Sequence, residues 1–121
     1  MAVCVCACVC IPVPIQIVTQ PKAVQVVERG DVVDLTLVAT SDRLYPLSYR
    51  WIFHNHTYEL DQAPPHVFYD FTSKMAYINT THLTDEQMRS IRGVYRREVY
   101  HQFQMEVVDV EVRLKGDPDS K

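Results

Sequence analysis

The stretch GVYRREVYHQ, residues 93–102, decides how this sequence is read. Read as an extended chain, it places Tyr95, Arg97 and Val99 on one side and Arg96, Glu98 and Tyr100 on the other. An arginine thus shares a side with a tyrosine and a valine. Just downstream, MEVVDVEVRL, residues 105–114, also alternates, and Tyr100–Gln104 holds the connection between two antiparallel strands. In the second strand Val108, Val110, Val112 and Leu114 point one way. Met105 and Val107 belong to the opposite set, which a bulge near Val107 would reconcile.

Upstream, Thr84 and Gln87 have the spacing of a capping box, with Asp85 and Glu86 in a first helical turn and Arg89 and Arg92 near its end. About two helical turns are expected, ending at Gly93, with Met88 and Ile91 on one side. Before them come short β segments. Val32–Thr40 alternates Val33, Leu35, Leu37 and Ala39 against Asp34, Thr36 and Val38. Tyr49, Trp51 and Phe53 alternate with Arg50 and Ile52. Tyr58–Leu60, Val67–Phe71 and Lys74–Asn79 are three shorter strands. Pro12, Pro14 and Pro21 suit an interrupted edge strand over Ile15–Val18 and Ala23–Val27. Arg29-Gly30-Asp31 is a tight turn between strands, although it also spells an integrin-binding tripeptide.

The chain has 121 residues, 47% of them apolar and 22% charged, which fits one globular domain. A net charge of −3 and the lack of a basic stripe argue against nucleic acid. Three glycines leave little material for a phosphate-cradling loop, and no apolar run is long enough to span a membrane. All four cysteines fall at Cys4, Cys6, Cys8 and Cys10, so the body of the domain has no disulfide of its own. Residues 1–14 are read as an irregular Cys-rich leader or non-native start; a signal-like segment and metal or lipid chemistry at the thiols are the alternatives. Residues 15–115 form the domain, and 116–121 a linker or cut end.

Together, the Pro-led first strand, GDVVDLTLVA, YRW, KMAYIN, GVY and the long last strand resemble an I-set immunoglobulin domain across about residues 15–115. The run TSDRLYPLSYRWIF, with Ser41-Asp42, Leu44, Leu47 and Trp51, is similar to the sixth immunoglobulin domain of contactin- and L1-type neural adhesion receptors. The ending VEVRLKGDPD is similar to that domain handing over to a fibronectin type III module. The resemblance implies an all-β, immunoglobulin-like sandwich with a short helix at the E–F corner. It implies Trp51 as the core tryptophan and Tyr95 as the tyrosine-corner residue, its hydroxyl bonded to backbone. It also implies that Leu37 and Arg97 stand where this fold usually carries its B–F disulfide.

On that reading Tyr95, Arg97 and Val99 face inward, and an unpaired buried guanidinium is costly. Arg97 can lie over Trp51, reach an Asp or Glu with its stem through the core edge, or be displaced by a strand slip. A slip gains nothing, because the neighbours are Arg96 and Glu98. The expectation is a stack on Trp51 with the head partly solvated, and the aromatics Tyr49, Trp51, Phe53, Phe68 and Tyr77 offset part of the missing disulfide.

Asn55-His56-Thr57 and Asn79-Thr80-Thr81 match the N-glycosylation acceptor. His54 and His56 have the spacing to begin a zinc site, but no third ligand is placed, and His66, His82 and His101 are scattered. Ser41, Ser48, Ser73 and Ser90 lack a nucleophile context. No catalytic group, cofactor or metal is expected. Arg89, Arg92, Arg96 and Arg97, with Tyr100 and Phe103, are a candidate partner-facing patch, although a solvated face with hairpin aromatics is the commoner explanation of such a cluster. The resemblance implies a non-enzymatic extracellular adhesion or receptor module, part of a larger chain. It would space neighbouring immunoglobulin or fibronectin type III domains and bind a protein partner. The alternative is an intracellular immunoglobulin-like scaffold module.

Overall fold

Alternation produces strands where one face can be buried, and most of the segments read above are strands in the computed structural model, which describes residues 14–41 and 44–116. In chain order these are β1 (Gln16–Thr19), β2 (Val24–Val27), β3 (Val32–Asp34), β4 (Val38–Thr40), β5 (Ser48–Phe53), β6 (His56–Glu59), β7 (Phe68–Tyr69) and β8 (Ala76–Asn79). The helix α1 (Asp85–Ser90), β9 (Gly93–His101) and β10 (Gln104–Leu114) complete the set. The fold is an all-β sandwich with one short helix. One layer is the five-stranded sheet β2-β10-β9-β5-β6, the other the three-stranded sheet β3-β8-β7, and β1 and β4 form a separate two-stranded ladder. Every pairing is antiparallel except β2 with β10, which is parallel.

The layers close on each other through apolar side chains. Val33, Ala76 and Ile78 of the three-stranded sheet meet Trp51, Phe53, Tyr95, Val110 and Val112 of the five-stranded sheet. The helix seals one end of this core with Met88 and Ile91, both buried. Its capping box is complete: the Thr84 hydroxyl accepts from Gln87 N–H at 3.1 Å, and Gln87 Oε1 accepts from Thr84 N–H at 2.9 Å. The helix is shorter than expected: Ile91 is its cap and Gly93 already opens β9.

Three expectations are corrected. Val32–Thr40 is two strands, because Thr36 intervenes. Its hydroxyl accepts from Ala76 N–H at 3.1 Å and donates to Ala76 O at 3.2 Å, so a side chain replaces a ladder partner. Leu35 and Leu37 stay buried across the break. There is no bulge at Val107 in the β9–β10 pairing: the register runs unbroken from Gln104 opposite His101 to Val112 opposite Gly93. Met105 and Val107 instead point outward and are close to half exposed. Finally, Phe68 is 52% exposed and Tyr77 is only partly buried, so the core aromatics of that list are Tyr49, Trp51 and Phe53. Phe68 and Tyr77 pack on each other at the edge of the three-stranded sheet, 5.0 Å between ring centroids.

Candidate functional site

Two places carry chemistry beyond ordinary packing, the buried cation on β9 and the aromatic end of the sandwich. Arg97 lies directly opposite Trp51 in the β5–β9 ladder, so the two side chains share the inner face as cross-strand neighbours. The guanidinium carbon sits 4.1 Å from the Trp51 ring centroid, 4.9 Å from Tyr69 and 5.0 Å from Tyr49. Nη2 donates to the Tyr69 hydroxyl at 2.8 Å. The stack on Trp51 is as expected, but the partly solvated head is not: Arg97 is 1% exposed. The strand carries it straight into the sandwich, where three rings and the Tyr69 hydroxyl surround it.

No carboxylate compensates this charge among the described residues. Glu98, the next residue, lies on the opposite face of the sheet, where it is buried and pairs with Arg50. Nε and Nη1 of Arg97 have no hydrogen-bond partner, and neither does the buried Trp51 Nε1. Burial pushes the Arg97 guanidinium below the ordinary arginine value, and the Tyr69 hydroxyl opposes it. The side chain still carries its charge at any accessible pH. Cation–π attraction, about 2 kcal/mol when desolvated and dominated by the closest ring, Trp51, recovers part of the several kcal/mol lost on leaving water. Arg97 also divides the core. Trp51 and Tyr95 belong to the cluster reaching the helix, whereas Tyr49, Val99, Ile15 and Leu37 form a second, smaller cluster. Leu37 therefore packs in the core without joining Trp51's cluster. The Tyr95 hydroxyl donates to Ile91 O at 2.8 Å, tying β9 to the end of α1.

The aromatic end is built by two connections. A two-residue turn, Gln102 and Phe103, joins β9 to β10, and His101 Nδ1 accepts from Phe103 N–H at 3.0 Å. Tyr45, from the loop before β5, lies 5.2 Å from Phe103 and 5.5 Å from His101 between ring centroids. Leu44 and Phe103 are 72% and 63% exposed. A cleft of about 340 Å³ opens between this loop and the end of β9, lined by Leu44, Tyr45, Pro46, Ser48, Tyr100, His101 and Gln102. The sequence showed Tyr100 and Phe103 here; Leu44 and Tyr45 were missed, because only the folded loop brings them alongside.

The four arginines of the candidate patch do not come together on one surface. Arg97 is inside, and Arg96 is held by Asp109 through Nε at 2.9 Å and Nη2 at 3.2 Å; Arg89 and Arg92 are exposed. Arg29-Gly30-Asp31 is the tight turn expected. Arg29 pairs with Asp85 and donates to Leu83 O at 2.9 Å, while Asp31 Oδ2 accepts from Glu28 N–H at 2.9 Å. Both charged groups of the tripeptide are thus occupied.

Both acceptor asparagines are exposed. Asn55 follows His54 in the two-residue turn between β5 and β6, with φ of 62° and 50° respectively. Positive φ at both positions suits this hairpin turn. Asn79 ends β8, and its Oδ1 accepts from Thr81 N–H at 3.0 Å. His54 lies in that same turn rather than on a strand face with His56, and it stacks on Phe53 with 3.8 Å between centroids. Among the described residues no three metal-ligating side chains come together, and no helix is long and apolar enough to cross a membrane. The four cysteines lie outside the described residues. The chain matches no protein-family model, and no curated protein matches it in sequence.

Proposed function

We propose that this chain is a non-enzymatic, immunoglobulin-like module of an extracellular adhesion or receptor protein that binds a protein partner through the end of the sandwich carrying Tyr45, His101 and Phe103. The observation that carries the binding part is the exposed apolar end itself. Leu44 and Phe103 stand out in water beside the half-buried rings of Tyr45 and His101, and exposed apolar side chains grouped with aromatics are a recurring feature of protein-binding surfaces. The immunoglobulin-like part is supported by the strand order. A layer with β5, β9 and β10 side by side faces one with β3 and β8 paired, as in the two sheets of that fold. The Tyr95–Ile91 bond at the turn into β9 agrees with it. The extracellular part is supported by two exposed glycan acceptors, Asn55 and Asn79. A domain core without cysteine is equally suited to a reducing compartment, so an intracellular scaffold module is the second reading.

Expression in animal cells behind a secretion signal tests both. Glycans on Asn55 and Asn79, removed by Asn→Gln substitution, together with retention of a cell-surface binding partner by wild type but not by Phe103→Ser, support the adhesion reading. Unoccupied acceptors on folded secreted protein argue for the scaffold, and partner binding that ignores Phe103→Ser removes the proposed binding end.

A further inference from the structure

A second cleft, of about 370 Å³, borders the first along Ser48 and Tyr100 and opens between the start of β5 and the turn connecting β7 to β8. Its walls are mainly apolar or aromatic: Leu47, Tyr49, Leu60, Phe71 and Tyr100. One cation lines it. Lys74 Nζ lies 4.0 Å from the Phe71 ring centroid and 4.9 Å from that of Tyr49. It donates to Phe71 O at 2.7 Å, which uses one of its three N–H bonds; no carboxylate is paired with it among the described residues. The same Tyr49 ring has the Arg97 guanidinium 5.0 Å from its centroid. Two cations without a direct carboxylate partner among the described residues therefore flank one tyrosine, one buried and one at a cleft, with the Asp70 carboxylate acting on Lys74 only at longer range.

The turn holds Lys74 in this place at some cost. Its φ is 66°, in the left-handed region that a lysine seldom adopts. The backbone is fixed by Asp70, whose Oδ1 accepts from Thr72 N–H at 3.0 Å and whose carbonyl accepts from Lys74 N–H at 2.8 Å. Glu59, the one acidic residue lining the cleft, lies on Arg50's side, 4.0 Å from that guanidinium.

We propose that this cleft binds a small organic monocarboxylate, with the carboxylate on Lys74 and an aromatic or aliphatic body against Leu47, Leu60 and Phe71. A charged hydrogen bond in a partly desolvated cleft is the strong kind; Asp70 offsets the Lys74 charge only through space, and a bound carboxylate supplies the direct ion pair that neither Lys74 nor Arg97 makes among the described residues. Desolvation and then the nearby Arg97 charge push the Lys74 ammonium below its ordinary value, with Asp70 opposing them, and an anion on Lys74 counters the Arg97 repulsion.

Phenylacetate, phenylethylamine and 2-phenylethanol serve as probes on the full chain, by calorimetry and by amide chemical-shift mapping. The expected result is saturable phenylacetate binding, at least about tenfold weaker binding of the amine and the alcohol, and about tenfold loss in Lys74→Met with retention in Lys74→Arg. Shifts on the wild-type protein fall on Leu47, Ser48, Leu60, Phe71 and Lys74. The proposal is overturned by absence of saturable phenylacetate binding, by equal binding of the amine, or by undiminished affinity in folded Lys74→Met. Shifts confined to residues outside this cleft overturn it even if the variant fails to fold.

Discussion

Replacing Arg97 by methionine removes a buried charge while keeping a flexible, unbranched apolar chain in the place of the arginine stem beside Trp51. The losses are the ring contacts, about 2 kcal/mol when desolvated, and one hydrogen bond from a charged donor, about 1.5–3 kcal/mol. Set against them is the end of a desolvation penalty of several kcal/mol that no carboxylate offsets. Methionine also adds roughly 1.5–3 kcal/mol of apolar burial. The Tyr69 hydroxyl, on a partly buried residue, turns to water. The balance is a gain of about 1–3 kcal/mol, or a rise of roughly 4–8 °C in melting temperature per kcal/mol for a domain near a hundred residues. Arg97→Leu acts in the same direction with a smaller gain, since its shorter chain leaves a void. Tyr69→Phe acts in the opposite direction: it strips the one hydrogen-bond acceptor and leaves the charge, costing about 1–3 kcal/mol. Urea denaturation followed by Trp51 fluorescence and by far-ultraviolet circular dichroism reads all three. Loss of more than about 1 kcal/mol in Arg97→Met would refute the reasoning, because the ring cage would then outweigh the cost of dehydrating the cation.

Other perturbations test the joints around this core. Tyr95→Phe leaves the Ile91 carbonyl without its 2.8 Å partner and lowers stability by about 1–2 kcal/mol in urea; no change would mean that water replaces the hydroxyl. Gly93→Ala is expected to destabilise by about 1–3 kcal/mol, since φ at Gly93 is 140° and a Cβ would lie 3.0 Å from His54 Nε2 and 3.2 Å from Phe53 Cε1. Thermal melts of Gly93→Ala alone and combined with His54→Ala separate backbone strain from the clash. The Arg29 guanidinium beside Asp85 holds that carboxyl below its usual range. A carboxyl depressed in the folded state contributes stability at neutral pH that disappears as pH falls through its folded value. Asp85→Asn should therefore flatten the acid limb of a stability–pH profile below about pH 4, while an unchanged limb would assign acid sensitivity elsewhere.

The strands were legible because a half-buried strand writes its burial as a period of two. Trp51, Tyr95, Val99, Val110 and Val112 are all buried where alternation put them. The helix was legible because Thr84 and Gln87 form a local device that needs no tertiary partner. The break at Thr36 was not, since its hydroxyl acts on Ala76 from a strand far along the chain. Nor was the unbroken register at Val107: alternation set Met105 and Val107 opposite the inward valines, but hydrophobicity alone does not say that such residues stay on the uncovered face. Leu44 and Tyr45 had no periodic signal; they belong to the aromatic end only after the loop before β5 folds beside the β9–β10 turn.

Counting residues was enough to rule out a disulfide within the body of this domain, since all its cysteines precede residue 11. Chain alternation was enough to set Arg97 on the same side as Tyr95 and Val99. What surrounds that guanidinium came from three dimensions alone. Tyr69 reaches it from the opposite layer and Tyr49 from the neighbouring strand, and no sequence spacing encodes distances across a sandwich. The same holds for Lys74, which reaches the Tyr49 ring only because its turn folds over the start of β5. Burial direction is a local property of an extended chain, whereas the electrostatic surroundings of a buried charge are fixed by whichever distant segments pack against it.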